Sequence, residues 1–197
     1  MMKQTARGIT FLVPLTLALV AFMSSAHATE VAGVRFEEQA RIGDAVLALN
    51  GAGVRSKFMF KVYALGLYLP SRTGDASQAI SSAGPKRVRI VTLRDVGSEM
   101  FIEGLTKGIE KNHNVSDLAA LKSRIAQLAA TLKGIGELAK GSIVTLDLLP
   151  GGMTRLSANG APLGKDIPGE DFYQALLRIW LGNNPAQDSL KEEILGR

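Results

Sequence analysis

The chain has 197 residues, 23 Lys and Arg against 18 Asp and Glu, and no cysteine. Disulfide frameworks, thiolate metal sites and thiol nucleophiles are thereby excluded, and stability has to come from a packed core. The positive charge is scattered, with no dense Lys/Arg stripe interleaved with aromatics, so nucleic acid is not an expected partner.

Lys3 and Arg7 precede an apolar run from Ile9 to Met23, and Ala26-His27-Ala28 sets small residues where a signal peptidase reads. Residues 1–28 are therefore predicted to be a cleavable signal peptide and residues 29–197 one domain, periplasmic or secreted. The run is interrupted by Pro14 and Thr16 and falls short of the roughly 18–20 apolar residues of a membrane span. No span is expected after cleavage, and the mature charge is +3, because Lys3 and Arg7 leave with the leader.

From Val31 to Leu69 apolar residues alternate with polar or small ones, which predicts three antiparallel strands. In the last of them Phe58, Phe60, Val62 and Ala64 fall on one face and Met59, Lys61, Tyr63, Leu65 and Leu67 on the other. Gly51 and Gly53 mark a bulge or a close backbone approach at a strand end. The run Asn50 to Arg55 lacks the Lys-Ser/Thr of a phosphate loop and opens no helix. A short helix is predicted over 74–83 and a strand over 86–95. Ser98 is placed as the cap of a helix with the stripe Phe101, Ile102, Leu105 and Ile109, and Ser116 as the cap of one carrying Leu118, Leu121, Ile125, Leu128 and Leu132 as core. Residues 142–149 and 153–158 form a hairpin across Pro150-Gly151-Gly152, ended by Asn159-Gly160. Helices over 170–181 and 186–195 close the chain. This order is not a regular βα alternation, so the predicted class is α+β with a mostly antiparallel sheet.

Few residues of the sequence carry chemistry. His113 is the single histidine after processing and has no carboxylate or second histidine near it in sequence, which argues against a metal site or a triad and for a solvated residue at a helix end. Glu37-Glu38 and Glu192-Glu193 point to different sides and read as surface charge. Arg55 and Tyr63 are the best candidates for a binding site, since an Arg fork grips a carboxylate through two charge-assisted hydrogen bonds and a Tyr hydroxyl adds a third. The same residues also fit a solvated arginine and a packed tyrosine. On one straight strand they would lie roughly 26 Å apart, so a shared ligand requires a turn or bulge between them, placed at Ser56-Lys57.

The segment LNGAGVRSKFMFKVYALGLYLP, Leu49 to Pro70, resembles the signature of the chalcone isomerase superfamily: Gly51, Ala52, Gly53 and Arg55, then Gly66, Tyr68 and Leu69. RDVGSEMFIEGL and DFYQALLRIWLG extend the resemblance more weakly, and the layout is similar to the chalcone-isomerase-like proteins of bacteria. The resemblance implies an open-faced β-sandwich, a large antiparallel sheet with helices packed on one face. It also implies that Arg55 stands where the plant enzymes position an oxyanion, with Tyr63 replacing their threonine, as expected of fatty-acid-binding relatives. Counted along the helix, the enzymes' tyrosine, lysine and asparagine fall on Met100, Glu103 and Lys107, and their specificity-setting Ser/Thr on Ile179.

The expected ligand-binding residues are thus Arg55, Tyr63, Met100, Phe101 and Ile179, with no catalytic residue, metal or cofactor assigned. The leading expectation is a non-catalytic protein that binds a fatty acid or similar amphipathic carboxylate. An isomerase or intramolecular lyase on another small molecule and a protein-partner module are the alternatives, and the oligomeric state is left open.

Overall fold

The structure, a computed structural model, describes residues 28–197; apart from Ala28, the proposed signal peptide lies outside them. The N-terminal third holds five strands: β1 (Ala28–Val31), β2 (Val34–Glu37), β3 (Gln39–Ile42), β4 (Ala45–Lys57) and β5 (Phe60–Leu69). Two more than expected arise because Gly33 and Gly43 adopt left-handed backbone, at φ +79° and +57°, and turn the chain early. There follow α1 (Ala76–Ser81), β6 (Lys86–Thr92), β7 (Val96–Gly97), α2 (Ser98–Glu110), α3 (Val115–Lys133), β8 (Glu137–Leu138), β9 (Ile143–Leu148), β10 (Met153–Ala158), β11 (Ala161–Pro168), α4 (Glu170–Leu181) and α5 (Asp188–Ile194).

Seven strands form one antiparallel sheet in the order β11-β10-β9-β6-β5-β4-β3, with the helices packed on one side, as the predicted class requires. The helix side carries the main core: Leu65, Leu67, Val88, Ile90, Val144 and Leu146 from the strands meet Phe172, Leu176, Ile179 and Trp180 of α4. The other side carries a smaller core in which Phe36 of the β1–β2 hairpin packs with Leu47, Leu49, Ala64, Tyr68 and Val91. Both faces of β5 are therefore covered, and Gly66 makes this possible: a Cβ there would stand 2.6 Å from the Phe36 ring.

A register shift between Leu49 and Gly51 switches β4 from one face to the other. Leu47 and Leu49 look toward Phe36, whereas Gly51 and Gly53 lie directly under α5. A Cβ on Gly51 would sit 2.3 Å from the Glu193 carbonyl oxygen, and one on Gly53 2.7 Å from Glu193 Cβ. The glycines thus serve a bulge and a close approach together, within the strand rather than at its end. Asn50 fastens the contact, its Nδ2 donating to Ile194 O at 2.7 Å and its Oδ1 accepting from Thr73 N at 2.7 Å. Glu193 is not merely surface charge, because its Oε2 accepts from Val54 N at 3.0 Å.

Both serine caps are corrected. Gly97 occupies the N-cap of α2, and Ser98 is its first helical residue, with its N–H donating to Gly136 O at 2.9 Å through the β7–β8 pairing. Asn114 caps α3 by accepting from Asp117 N at 2.9 Å, two residues before Ser116. The stripe of α3 is core as expected, with Leu121, Leu128 and Leu132 buried. Asn159 and Gly160 do not end the sheet. At φ +49° and +84° they turn the chain from β10 into an eight-residue edge strand, β11.

Candidate functional site

β4 and β5 make a hairpin whose two-residue turn is Phe58 and Met59, between the paired Lys57 and Phe60. That turn brings Arg55 directly opposite Tyr63 in the ladder, so both donors stand side by side at the end of the sheet. The turn lies two residues beyond the expected Ser56-Lys57, although a second register shift does occur between Arg55 and Ser56. Phe58 and Met59 consequently belong to neither strand face.

A cavity of about 200 Å³ opens on the helix side of this pair. Arg55 and Tyr63 line it from the sheet, Met100, Phe101 and Leu105 from α2, and Ile179 from α4. All five residues singled out in the sequence share its wall. Met100 is 59 % exposed and so marks the mouth, whereas Phe101 and Ile179 are buried and form the interior. Gly108 permits α2 and α4 to close above it, since a Cβ there would lie 2.7 Å from Ile179 Cγ2.

Arg55 is held along one edge. Its Nη1 donates to the Ser56 carbonyl and, at 3.2 Å, to Gln187 Oε1, which also accepts from Ser56 N at 2.8 Å. Gln187 in turn donates from Nε2 to Val54 O at 3.2 Å and to Ser189 Oγ at 2.6 Å. Among the described residues the Nε and Nη2 donors of Arg55 make no hydrogen bond, which leaves a two-pronged edge of the guanidinium for an anion. Gln187 is the N-cap residue of α5, so the helix that Gly51 and Gly53 admit also fixes the arginine.

Tyr63 is oriented by Trp180, whose Nε1 donates to its hydroxyl oxygen at 2.9 Å. With one lone pair so engaged, the Tyr63 proton remains to be donated. Burial raises the Tyr63 pKa, and the Trp180 hydrogen bond and the Arg55 charge offset only part of the rise. The group is therefore a neutral phenol near pH 7, suited to donate a hydrogen bond and unsuited to act as a base. Trp180 and Gln187 escaped the sequence reading; the available signal was that the chain's single tryptophan, if buried, needs an acceptor for its indole N–H.

Glu103 and Lys107 do not line this cavity. They bond to each other one turn apart on the exposed side of α2, so the positions matched to the enzymes' lysine and asparagine present no polar network to a ligand. His113 is corrected as well. It lies at the end of α2 but is half-buried, with Nδ1 on Ile109 O at 2.8 Å and Nε2 shielded without a partner. A larger cleft of about 670 Å³ beside it is walled by Lys111, Asn112, Arg178 and Lys191. Polar side chains predominate in that cleft, with Ile80 and Leu181 as its large apolar wall residues. No group of acidic and histidine side chains able to hold a metal occurs among the described residues, and no described helix is long and apolar enough to cross a membrane.

A family model described as chalcone isomerase-like matches residues 28–196. Among solved structures, the chain is similar to the crystal structure of a fatty-acid binding protein of Arabidopsis thaliana, with a TM-score of 0.65 and 17 % identity over 86 % of this chain and 96 % of that one. At that identity the likeness establishes the fold. No curated protein matches the sequence significantly.

Proposed function

The chain belongs to the chalcone isomerase-like family, and from the site that this fold builds here we propose that it binds an amphipathic carboxylate of the fatty-acid class without catalysing its conversion. The observation that carries the proposal is the pairing of a half-free arginine fork and a donor tyrosine in a mostly apolar cavity whose other polar wall residues are Lys57, Lys111 and Asn184. The carboxylate takes the Nε and Nη2 donors of Arg55 and the Tyr63 hydroxyl. Its alkyl chain lies against Phe101, Leu105 and Ile179, each buried CH₂ contributing about 0.8 kcal/mol. A fatty-acid binding protein among the structures of this fold supports the ligand class.

The cavity, about 200 Å³, is smaller than the roughly 300–1,000 Å³ of pockets for drug-sized ligands. A short chain fits inside, and a longer one leaves through the mouth at Met100. The sequence of residues 1–28 supports export, so the proposed place of action is the periplasm or the exterior. Native mass spectrometry of the protein from its own cells tests the reading: a carboxylate lipid is expected on the wild type and absent from Arg55→Ala. Equal occupancy of the two, or a ligand without an acid group, overturns it. Edman sequencing beginning at Thr29 is the matching result for export.

A further inference from the structure

The tip of the β4–β5 hairpin departs from the residue choice that its backbone favours. Phe58 takes φ +51°, a left-handed conformation that suits Asn or Gly and disfavours a bulky side chain. The β10–β11 turn of the same chain uses Asn159 and Gly160 for such geometry. At the β4–β5 tip three consecutive large apolar side chains stand in water instead, Phe58 88 %, Met59 96 % and Phe60 63 % exposed. Among the described residues, the other exposed large apolar side chains away from the cavity mouth, Val46 and Val115, are single and separate. A concentrated apolar tip of this kind marks a docking surface.

Its surroundings identify what it docks on. Lys57 and Lys61 flank the tip in sequence, and the Arg94 guanidinium lies 5.4 Å from the centre of the Phe60 ring. Of the nearby acids, Asp95 accepts from Lys140 N at 2.7 Å and Glu103 is paired with Lys107 while also feeling the Lys57 charge, so the collar keeps a cationic excess through Lys61 and Arg94. An apolar wedge inside a cationic collar complements the surface of an anionic bilayer, where aromatic and thioether groups enter the acyl boundary and the charged heads stay at phosphate depth. The tip also adjoins the cavity, because Lys57, next to Phe58 in sequence, lines it together with Met100.

We propose that Phe58, Met59 and Phe60 form an interfacial anchor that docks this protein on anionic lipid bilayers with the cavity mouth turned toward the lipid. None of the three lines the cavity, so the docking stands independently of the carboxylate reading.

The chain has no cysteine, so Met59→Cys accepts one environment-sensitive fluorophore at the tip, and Asp44→Cys accepts one in the turn at the opposite end of β4. With vesicles of phosphatidylglycerol and phosphatidylcholine, the Met59 label is expected to shift to the blue and the Asp44 label to stay unchanged. Pure phosphatidylcholine should give little shift, and Lys61→Gln should weaken partitioning by roughly fivefold, the effect of one cation near an anionic surface. Phe58→Asn combined with Phe60→Ser suits the turn backbone, so it is expected to remain folded by circular dichroism and to lose vesicle-dependent quenching of the Met59 label by lipid-borne quenchers. An unshifted Met59 label, an equal response at both labels, or a response that survives Phe58→Asn/Phe60→Ser overturns the proposal. So does a shift that follows protein concentration without vesicles, which would assign the tip to protein contact.

Discussion

Replacing Gly51 by alanine tests how the fold holds its site together. In an open strand the change would stabilise the protein by about 0.4–1 kcal/mol through the unfolded chain. Here the new Cβ would meet backbone, with Glu193 O at 2.3 Å and Ile194 Cα at 2.9 Å, and no rotamer relieves the clash. α5 must retreat by on the order of 1 Å, an overpacking cost of about 1–3 kcal/mol. The retreat also weakens the bonds from Asn50 Nδ2 to Ile194 O and from Val54 N to Glu193 Oε2, at about 1 kcal/mol each. The expected net loss is about 2–5 kcal/mol, or roughly 4–20 °C in Tm for a chain of this size. Because Gln187 at the start of α5 holds Arg55, affinity for a carboxylate should fall with it. Thermal unfolding by circular dichroism and a titration with decanoate read the two effects. An unchanged Tm would refute the docking argument, and a lowered Tm with unchanged affinity would refute the link from α5 to Arg55.

Three further outcomes follow from the same contacts. Asp147→Asn breaks the two-pronged pairing of Arg87 with Asp147, bonded at 2.7 and 2.6 Å on the sheet, and should cost about 3–5 kcal/mol in urea unfolding, whereas Arg87→Met with Asp147→Leu should cost far less; equal losses would contradict a buried pair. Trp180→Phe removes the donor to Tyr63 Oη and should weaken decanoate binding several-fold more than it weakens decanol binding; a parallel loss would mean that Trp180 acts through packing alone. Asp166 has its pKa lowered chiefly by its hydrogen bonds from Arg155, so that pair stabilises the fold above the ordinary carboxylate value of about 3.9, and its contribution disappears as pH falls through the depressed value. The stability gap between wild type and Arg155→Met should therefore be full at neutral pH and close in acid. A gap that does not change with pH would assign the effect to lost packing.

The sheet and helices were legible where periodicity was long, as in Glu170–Leu181, whose bounds the sequence set correctly. β11 was missed because Pro162, Gly164 and Pro168 suppress strand signal, yet an edge strand tolerates them. The serine caps failed for a local reason: Asn114 competes better two residues upstream, and Gly136 O already satisfies the Ser98 N–H. Of the site, the five cavity residues were reachable from motif positions, but their convergence was not. It depends on a turn through Phe58-Met59, a pair that carries no ordinary turn signal. Gln187 and Trp180 act through contacts more than a hundred positions away in sequence, which no local pattern reports.

The most direct test of the binding account is a calorimetric titration of decanoate and decanol into wild type and Arg55→Met. Losing a charge-assisted hydrogen bond costs about 1.5–3 kcal/mol, so the account expects wild type to prefer the acid by roughly 10–100-fold and Arg55→Met to bind acid and alcohol alike. Equal binding of acid and alcohol by the wild type, or an acid preference that survives in Arg55→Met, would contradict it.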